Sequence, residues 1–235
     1  MSSIKAVLFD LDDTLWPIVP VIQRAENLLY DWLTTHAPAV AREVSIESMR
    51  ERRQALMATD PVYQLDLRAL RHAVLKEAFI HTGQDVAMVD TAMDVFSRAR
   101  NTVTLFTDVL PALNNLQGQL TLGSVSNGAA DLHAIGLAHF FQTSIAAHRF
   151  GYAKPDAAIF HAACDALHVA PHEAIYVGDD PLLDVEGAQK AGLRAVWMKR
   201  PELAPHSLPN HIRPDAICAT LHELEQWLAD YIVKP

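Results

Sequence analysis

Only two cysteines, Cys164 and Cys218, occur in the 235 residues, with no Cys-x-x-Cys pair and no Cys/His ligand spacing. A disulfide framework and a zinc ribbon are thereby excluded, and a reducing cytosol is the expected setting. Glycine is equally sparse at nine, and no Gly-x-Gly-x-x-Gly exists to cradle a dinucleotide. Positive charge is in deficit, 19 Lys and Arg against 28 Asp and Glu for a net −9. Nucleic acid and anionic membranes are bound through clustered cations, so neither is an expected partner, and an anionic small substrate needs local help from a metal. No apolar run reaches the roughly 18 residues that a bilayer demands. The N-terminus has an early Lys5, no long apolar stretch and no small-residue cleavage site, so a cytoplasmic rather than secreted protein is expected. Nothing in the sequence fixes an oligomeric state.

What is present is a globular composition, half hydrophobic and one-fifth charged, long enough for one sizeable α/β core and a smaller unit. The chain is organised around Ala6-Val7-Leu8-Phe9, an apolar run that reads as a fully buried strand and stops at Asp10. Asp12 and Asp13 follow at once. Three acids in four positions at the mouth of a buried strand are costly, because like charges close together in low dielectric resist ionising together. A cation is expected there. Ligands of open α/β sheets bind outside the carboxyl ends of the strands, which puts Asp10 and Asp12 where chemistry belongs.

After Pro17 and Pro20 helical periodicity takes over. Helices are predicted over Val21 to His36, Ile46 to Ala58, Val62 to His81 and Asp85 to Arg100, with Thr59-Asp60-Pro61 as a break and no strand between them. From Asp108 strands alternate with helices. Gln119 to Ser126 predicts a strand ending in a hydroxyl, with Asn127-Gly128 turning into a helix, and Ile145-Ala146 a short strand. Lys154-Pro155-Asp156 opens a helix to about His168, with Pro155 in its first turn. Ala174 to Val177 predicts a strand that enters Gly178-Asp179-Asp180-Pro181 and a helix to Lys190. Leu193 to Met198 and Ala216 to Cys218 are the last strands, and Leu221 to Ile232 the last helix. The expected class is α/β, a Rossmann-like parallel sheet flanked by helices. Ser126 to Lys154 spans 28 residues and Lys154 to Asp179 spans 25, each about one βα unit, whereas Asp10 to Ser126 spans 116. The excess marks a helical insertion. Residues 1–16 and 102–235 are the expected core and 17–101 an α-helical cap, a natural lid with hinges near Trp16-Pro17 and Val103 to Asp108.

Asp10-Leu11-Asp12-Asp13-Thr14, then Ser126-Asn127, Lys154-Pro155 and Gly178-Asp179-Asp180-Pro181-Leu182-Leu183-Asp184 resemble, in order, the four motifs of the haloacid dehalogenase-like hydrolase superfamily. Gly187-Ala188-Gln189-Lys190-Ala191-Gly192 is similar to the family's usual sequel, and the helical insertion resembles the small cap of one large branch. Within it the sequence looks most similar to bacterial phosphatases acting on flavin mononucleotide and on ribitylaminouracil phosphate. The resemblance implies a Mg²⁺-dependent phosphatase working through an aspartyl-phosphate on a small-molecule phosphate ester. Sugar phosphates, phosphoglycolate or a phosphomutase reaction are the same-fold alternatives. True dehalogenases resemble the pattern but lack an acid at the position of Asp12, which implies phosphate rather than carbon–halogen cleavage. Asp13 stands where many members carry Gly, which implies that a glycine-dependent backbone conformation is unnecessary there.

The chemistry of phosphoryl transfer fits these residues. Asp10 is the expected nucleophile, and Asp12 the acid that protonates the leaving oxygen and then takes a proton from water. Asp10, the Asp12 backbone carbonyl and Asp179 are the expected Mg²⁺ ligands, with Asp184 orienting a metal-bound water. Ser126 and the backbone amides around Asn127 are expected to hold phosphate oxygens at a helix N-terminus, with Lys154 as a point charge. Trp16 follows the loop closely enough to stack on a flat leaving group, or to pack at the hinge. Arg50, Arg52 and Arg53 either touch an anionic substrate or form a solvated face. The spacing of His161, His168 and His172 reads as an amphipathic helix and its end rather than a metal site. Rival readings fail on particular residues. A calcium loop would need Gly at Leu15 and Glu at Val21, and a nucleotide P-loop over Gly123 to Gly128 would need Lys-Ser/Thr where Ala129-Ala130 stand. A phosphoacceptor signalling domain would not carry its acceptor on the first strand or contain the insertion.

Overall fold

The computed structural model describes residues 4–204 and 207–231. Strands β1 (Ala6–Phe9), β2 (Thr121–Ser126), β3 (Thr143–Ala146), β4 (Ala174–Gly178), β5 (Arg194–Met198) and β6 (Ala216–Cys218) form one parallel sheet in the order β3-β2-β1-β4-β5-β6. Every residue of β1 and β4 is buried, which is why both read as continuous apolar runs instead of alternating ones. The chain runs from β1 out to β3 and then returns to the other side of β1 at β4. This reversal makes the carboxyl end of β1 a topological switch point. Phe9 is level with Ser124 on one side and Val177 on the other, so the chain leaves β1, β2 and β4 side by side.

The chain divides into two compact units, one with residues up to Pro17, Thr104–Gly128 and Gly136 onward, the other with Ile18–Val103 and Ala129–Ile135. The second unit is helical: α1 (Ile18–His36), α2 (Pro38–Glu43), α3 (Ile46–Thr59), α4 (Val62–Leu65), α5 (Leu67–His81) and α6 (Met88–Arg100). Its core gathers Leu29, Leu33, Leu75, Phe79, Met93 and their neighbours. Helix α1 starts at Ile18, earlier than the sequence predicts, with Pro20 in its first turn where a missing N–H costs nothing. The single helix predicted over Val62 to His81 is broken at Asp66, whose carboxylate accepts from Arg68 N and Ala69 N and so starts a new helix. The predicted start of the next helix at Asp85 is a turn, and α6 begins at Met88.

In the first unit α7 (Val109–Gln117) packs on β2, and the short α8 (Leu132–Ile135) that follows β2 belongs to the other unit. After β3 come α9 (Ala147–Phe150) and α10 (Ala157–Ala166). Pro155 lies before α10 rather than in its first turn, and Asp156 is the cap, accepting from Ala158 N at 2.8 Å. The segment after Asp180 is a π-helical turn, Pro181–Glu186, continued by α11 (Gly187–Lys190). One face of the sheet buries Leu8, Val125, Tyr176 and Trp197 with Phe160 of α10 and Ala188 of α11. Helix α12 (Leu221–Leu228) closes the described chain, and Ile232, the predicted end of that helix, lies outside the described residues. Among the described residues no helix is long and apolar enough to cross a membrane.

Candidate active site

Asp10 is the first residue beyond β1, held there by its N–H donating to Val177 O at 2.8 Å, and its side chain is 9 % exposed. Lys154, from the loop before α10, donates its Nζ to Asp10 Oδ1 at 2.5 Å, Asp184 Oδ1 at 2.6 Å and the Tyr176 hydroxyl at 2.9 Å. Tyr176 in turn donates to Val125 O at 2.8 Å. Asp184 sits in the π-helical turn, 1 % exposed, and its other oxygen accepts from Asp180 N at 2.9 Å. Asp179 accepts from the Thr14 hydroxyl at 3.3 Å, and its backbone carbonyl accepts from Trp197 Nε1 at 2.7 Å. Carboxylate oxygens of Asp10, Asp179 and Asp184 all lie within 4.8 Å of one another.

The electrostatics follow from this crowding. Burial, added to by Asp184 and Asp12, pushes Asp10 up to about 7 against the pull of Lys154. Burial and the charges of Asp10 and Asp184 push Asp179 up to about 9. Burial works against the Lys154 ammonium, yet Asp10 and Asp184 prevail and hold it protonated well above its ordinary range. Lys154 brings one positive charge to three carboxylates, which leaves the cluster short of cation. Oxygen donors crowded around a deficit of positive charge fit a hard divalent ion such as Mg²⁺.

The loop from Asp10 to Trp16 closes on itself. Leu15 N donates to Leu11 O at 2.8 Å and Asp13 N to Trp16 O at 2.7 Å. Asp13 adopts φ 59°, so the left-handed conformation that glycine favours is used here, contrary to expectation, by an aspartate. Aspartate is among the few non-glycine residues that reach it at modest cost. Arg200 donates to Thr14 O through Nε at 3.1 Å and Nη2 at 2.9 Å, and its Nη1 donates to Asp108 Oδ2 at 2.6 Å.

Three expectations about side chains are corrected. Trp16 is wholly buried, with its indole Nε1 donating to Asp12 Oδ1 at 2.9 Å, so it offers no ring face for a substrate to stack on. Ser126 does not lead into a helix N-terminus. A turn follows it, and its hydroxyl accepts from Gly128 N at 2.9 Å. The Asn127 side chain is occupied by the backbone of Lys154, accepting from its N–H at 2.8 Å and donating to its carbonyl at 3.0 Å. The Asn127 side chain therefore holds the backbone of Lys154. Of the three arginines, Arg50 and Arg52 are exposed, as a solvated face requires, and Arg53 is largely covered. Arg50 and Arg53 pair with the buried Glu26, and Arg52 with Glu77. His161 Nε2 lies 2.8 Å from Ala191 O, in keeping with a structural histidine.

Sequence reasoning missed Tyr176 and quoted Gly178 within a motif without giving it a role. A Cβ on Gly178 would collide with the Asp184 carboxylate, so that glycine is what admits the acid to the cluster. Its place directly before Asp179 was the available signal.

A parallel sheet with an aspartate at its switch point, a buried lysine on it and two further acids beyond β4 defines an α/β protein with a carboxylate-rich site at the strand ends. Residues 4–192 match the model of the haloacid dehalogenase-like hydrolase family, and the chain belongs to that family. It is 30% identical over 206 residues to the 5-amino-6-(5-phospho-D-ribitylamino)uracil phosphatase YigB of Escherichia coli strain K12, covering 86% of each chain. It is 32% identical over 232 residues to a phosphoserine phosphatase of Thermus thermophilus, covering 86% of this chain and 93% of the relative. A crystal structure described as 2-haloacid dehalogenase from Pseudomonas syringae pv. Tomato DC3000 is 38% identical, with a TM-score of 0.89 over 97% of this chain and 99% of the other. Family membership with phosphatase relatives makes the chain an enzyme of the hydrolase class.

Proposed function

We propose that this enzyme hydrolyses small-molecule phosphomonoesters, with Asp10 as nucleophile, Asp12 as acid and base, and Mg²⁺ as cofactor. The observation that carries the reading is the meeting of Asp10, Asp179 and Asp184 within 4.8 Å around the Lys154 ammonium. A phosphate dianion would be repelled by that excess of negative charge. Asp10, Asp179 and the Asp12 backbone carbonyl, with Asp184 behind them, would hold Mg²⁺, which would supply charge neutralisation when bound. The Asp10 carboxylate forms a bond to phosphorus as the ester P–O bond breaks, and Asp12 gives its proton to the leaving oxygen. Asp12 then takes a proton from water, whose oxygen displaces Asp10 from phosphorus. Lys154 fixes the Asp10 oxygens, and Ser126 with the Asn127 backbone lines the phosphate side.

Asp10→Asn is expected to lose turnover with its fold intact, and EDTA to silence the unaltered enzyme until Mg²⁺ is restored. Full activity in excess EDTA would remove the metal from the mechanism. The Pseudomonas likeness favours a second reading, carbon–halogen cleavage on the same nucleophile. Chloride release from 2-chloropropionate without turnover of any phosphate ester would decide for it.

Among phosphate esters we place flavin mononucleotide and ribitylaminouracil phosphate first; the name of the Escherichia coli relative supports the second of these, and no aromatic contact of Trp16 supports either. kcat/KM for these is expected to exceed that for sugar phosphates and phosphoglycolate by about tenfold or more, ~1.4 kcal/mol in transition-state binding. A panel that also holds phosphoserine tests this. If sugar phosphates or phosphoserine lead it, the narrow substrate class is wrong and the phosphatase reading stands.

A further inference from the structure

We infer that Trp16 is a positioning residue for the acid–base step, fixing which oxygen of Asp12 carries the proton. The inference rests on the reading of Asp12 as acid and base. The indole N–H can only donate, and it is directed at Asp12 Oδ1 at 2.9 Å. An oxygen that receives this bond is the carbonyl-type oxygen of the protonated acid, which leaves the transferable proton on Oδ2.

The geometry is not free to relax. Trp16 is fully buried, it forms a β-bridge with Asp12, and its own carbonyl accepts from Asp13 N at 2.7 Å. Two bonds from Arg200 to Thr14 O brace the turn between them. The indole thus holds the carboxyl rotation at one end of a loop whose other end carries Asp10. A general acid must meet the leaving oxygen at hydrogen-bond distance, so a freely rotating Asp12 carboxyl would spend much of its time mispointed. In the step itself, the Asp12 Oδ2–H proton passes to the ester oxygen as the P–O bond breaks and phosphorus bonds to Asp10. The resulting Asp12 carboxylate keeps its indole bond and takes the proton of the attacking water in the second half.

Two esters separate this role from packing. An alkyl phosphate such as glycerol phosphate needs its leaving oxygen protonated, whereas p-nitrophenolate leaves well without a proton. Trp16→Phe keeps an aromatic filler and removes the N–H. It is expected to lower kcat on glycerol phosphate about tenfold more than on p-nitrophenyl phosphate, with the KM ratio of the two esters little changed. Asp12→Asn should show the same selectivity more strongly, and adding Trp16→Phe to it should cost nothing further. Equal losses on both esters in Trp16→Phe, beside a selective loss in Asp12→Asn, would overturn the positioning role and leave the function standing. A loss in Asp12→Asn that ignores the leaving group would instead sink the acid role itself. Should phenylalanine fail to fold, benzothienylalanine at position 16 has the shape of the indole without its N–H and gives the same comparison.

Discussion

Lys154 is 5 % exposed and stays charged because two carboxylates and a phenol oxygen face its ammonium. The phenol is the least obvious of the three. Tyr176 lies in a buried strand and reads in the sequence as one more apolar core residue, since only the register of β4 against β1 and β2 brings its hydroxyl between Lys154 and Val125 O. Tyr176→Phe leaves a buried carbonyl without its donor and the ammonium without one acceptor. The expected cost is about 1–3 kcal/mol of stability in urea unfolding, with lower kcat. No stability change would mean that the hydroxyl is ornamental. Gly178→Ala tests the same cluster from the other side. The added methyl must displace the Asp184 carboxylate, so activity should fall about 100-fold or more at a small change in KM, and Mg²⁺ titration should show weaker binding. Near-normal kinetics in Gly178→Ala would show that Asp184 can sit elsewhere.

At the scale of elements, the strands were legible because buried parallel strands are short apolar runs, and their ends because carboxylates and hydroxyls interrupt those runs. Asp10, Ser126, Lys154, Asp179 and Asp184 could be picked out as residues, but what each side chain touches could not. Asn127 and Trp16 point back onto the protein itself, a matter of loop geometry that no periodicity encodes. Helix interruptions were similarly hidden. Asp66 looks like a polar position in a long helix until its capping bonds are seen. The basic residues of α3 were read as a face, whereas Arg50 and Arg53, together with Arg71 of α5, surround Glu26 of α1. Against its own burial, this carboxylate is held below its usual range by Arg50, Arg71 and Arg53. Burial draws Arg71 down to about 10, and its guanidinium lies 3.7 Å from the centroid of the Phe96 ring. Glu26→Ala strands the largely buried Arg53 and Arg71 and is expected to destabilise the helical unit by about 3 kcal/mol. Thermal unfolding checks it: a melting temperature within error of the parent would mean that solvent already screens the arginines.

For the molecule as a whole, the acid cluster ties stability to pH and, on the proposed metal role, is expected to tie it to Mg²⁺ as well. Asp10 and Asp179 are raised to about 7 and about 9, so in the metal-free protein the folded state keeps protons that the unfolded chain releases near pH 4. Their relative contribution is fully present below the unfolded value. It declines as pH rises toward 7 for the first group and 9 for the second. Mg²⁺ bound at the cluster would take the place of those protons, so its binding is expected to release them and to strengthen with pH. A bound ion at 100 times its dissociation constant adds about 2.7 kcal/mol to the folded state. The rise in melting temperature on adding Mg²⁺ is therefore expected to be small near pH 5, where protons already neutralise the cluster, and to grow to several degrees by pH 8.5, at about 2–4 °C per kcal/mol for a chain of this size. Asp179→Asn removes one of the two raised carboxyls and should flatten the dependence. An Mg²⁺ increment that is the same at pH 5 and pH 8.5, or one that survives unchanged in Asp179→Asn, would show that the ion binds somewhere other than between Asp10 and Asp179.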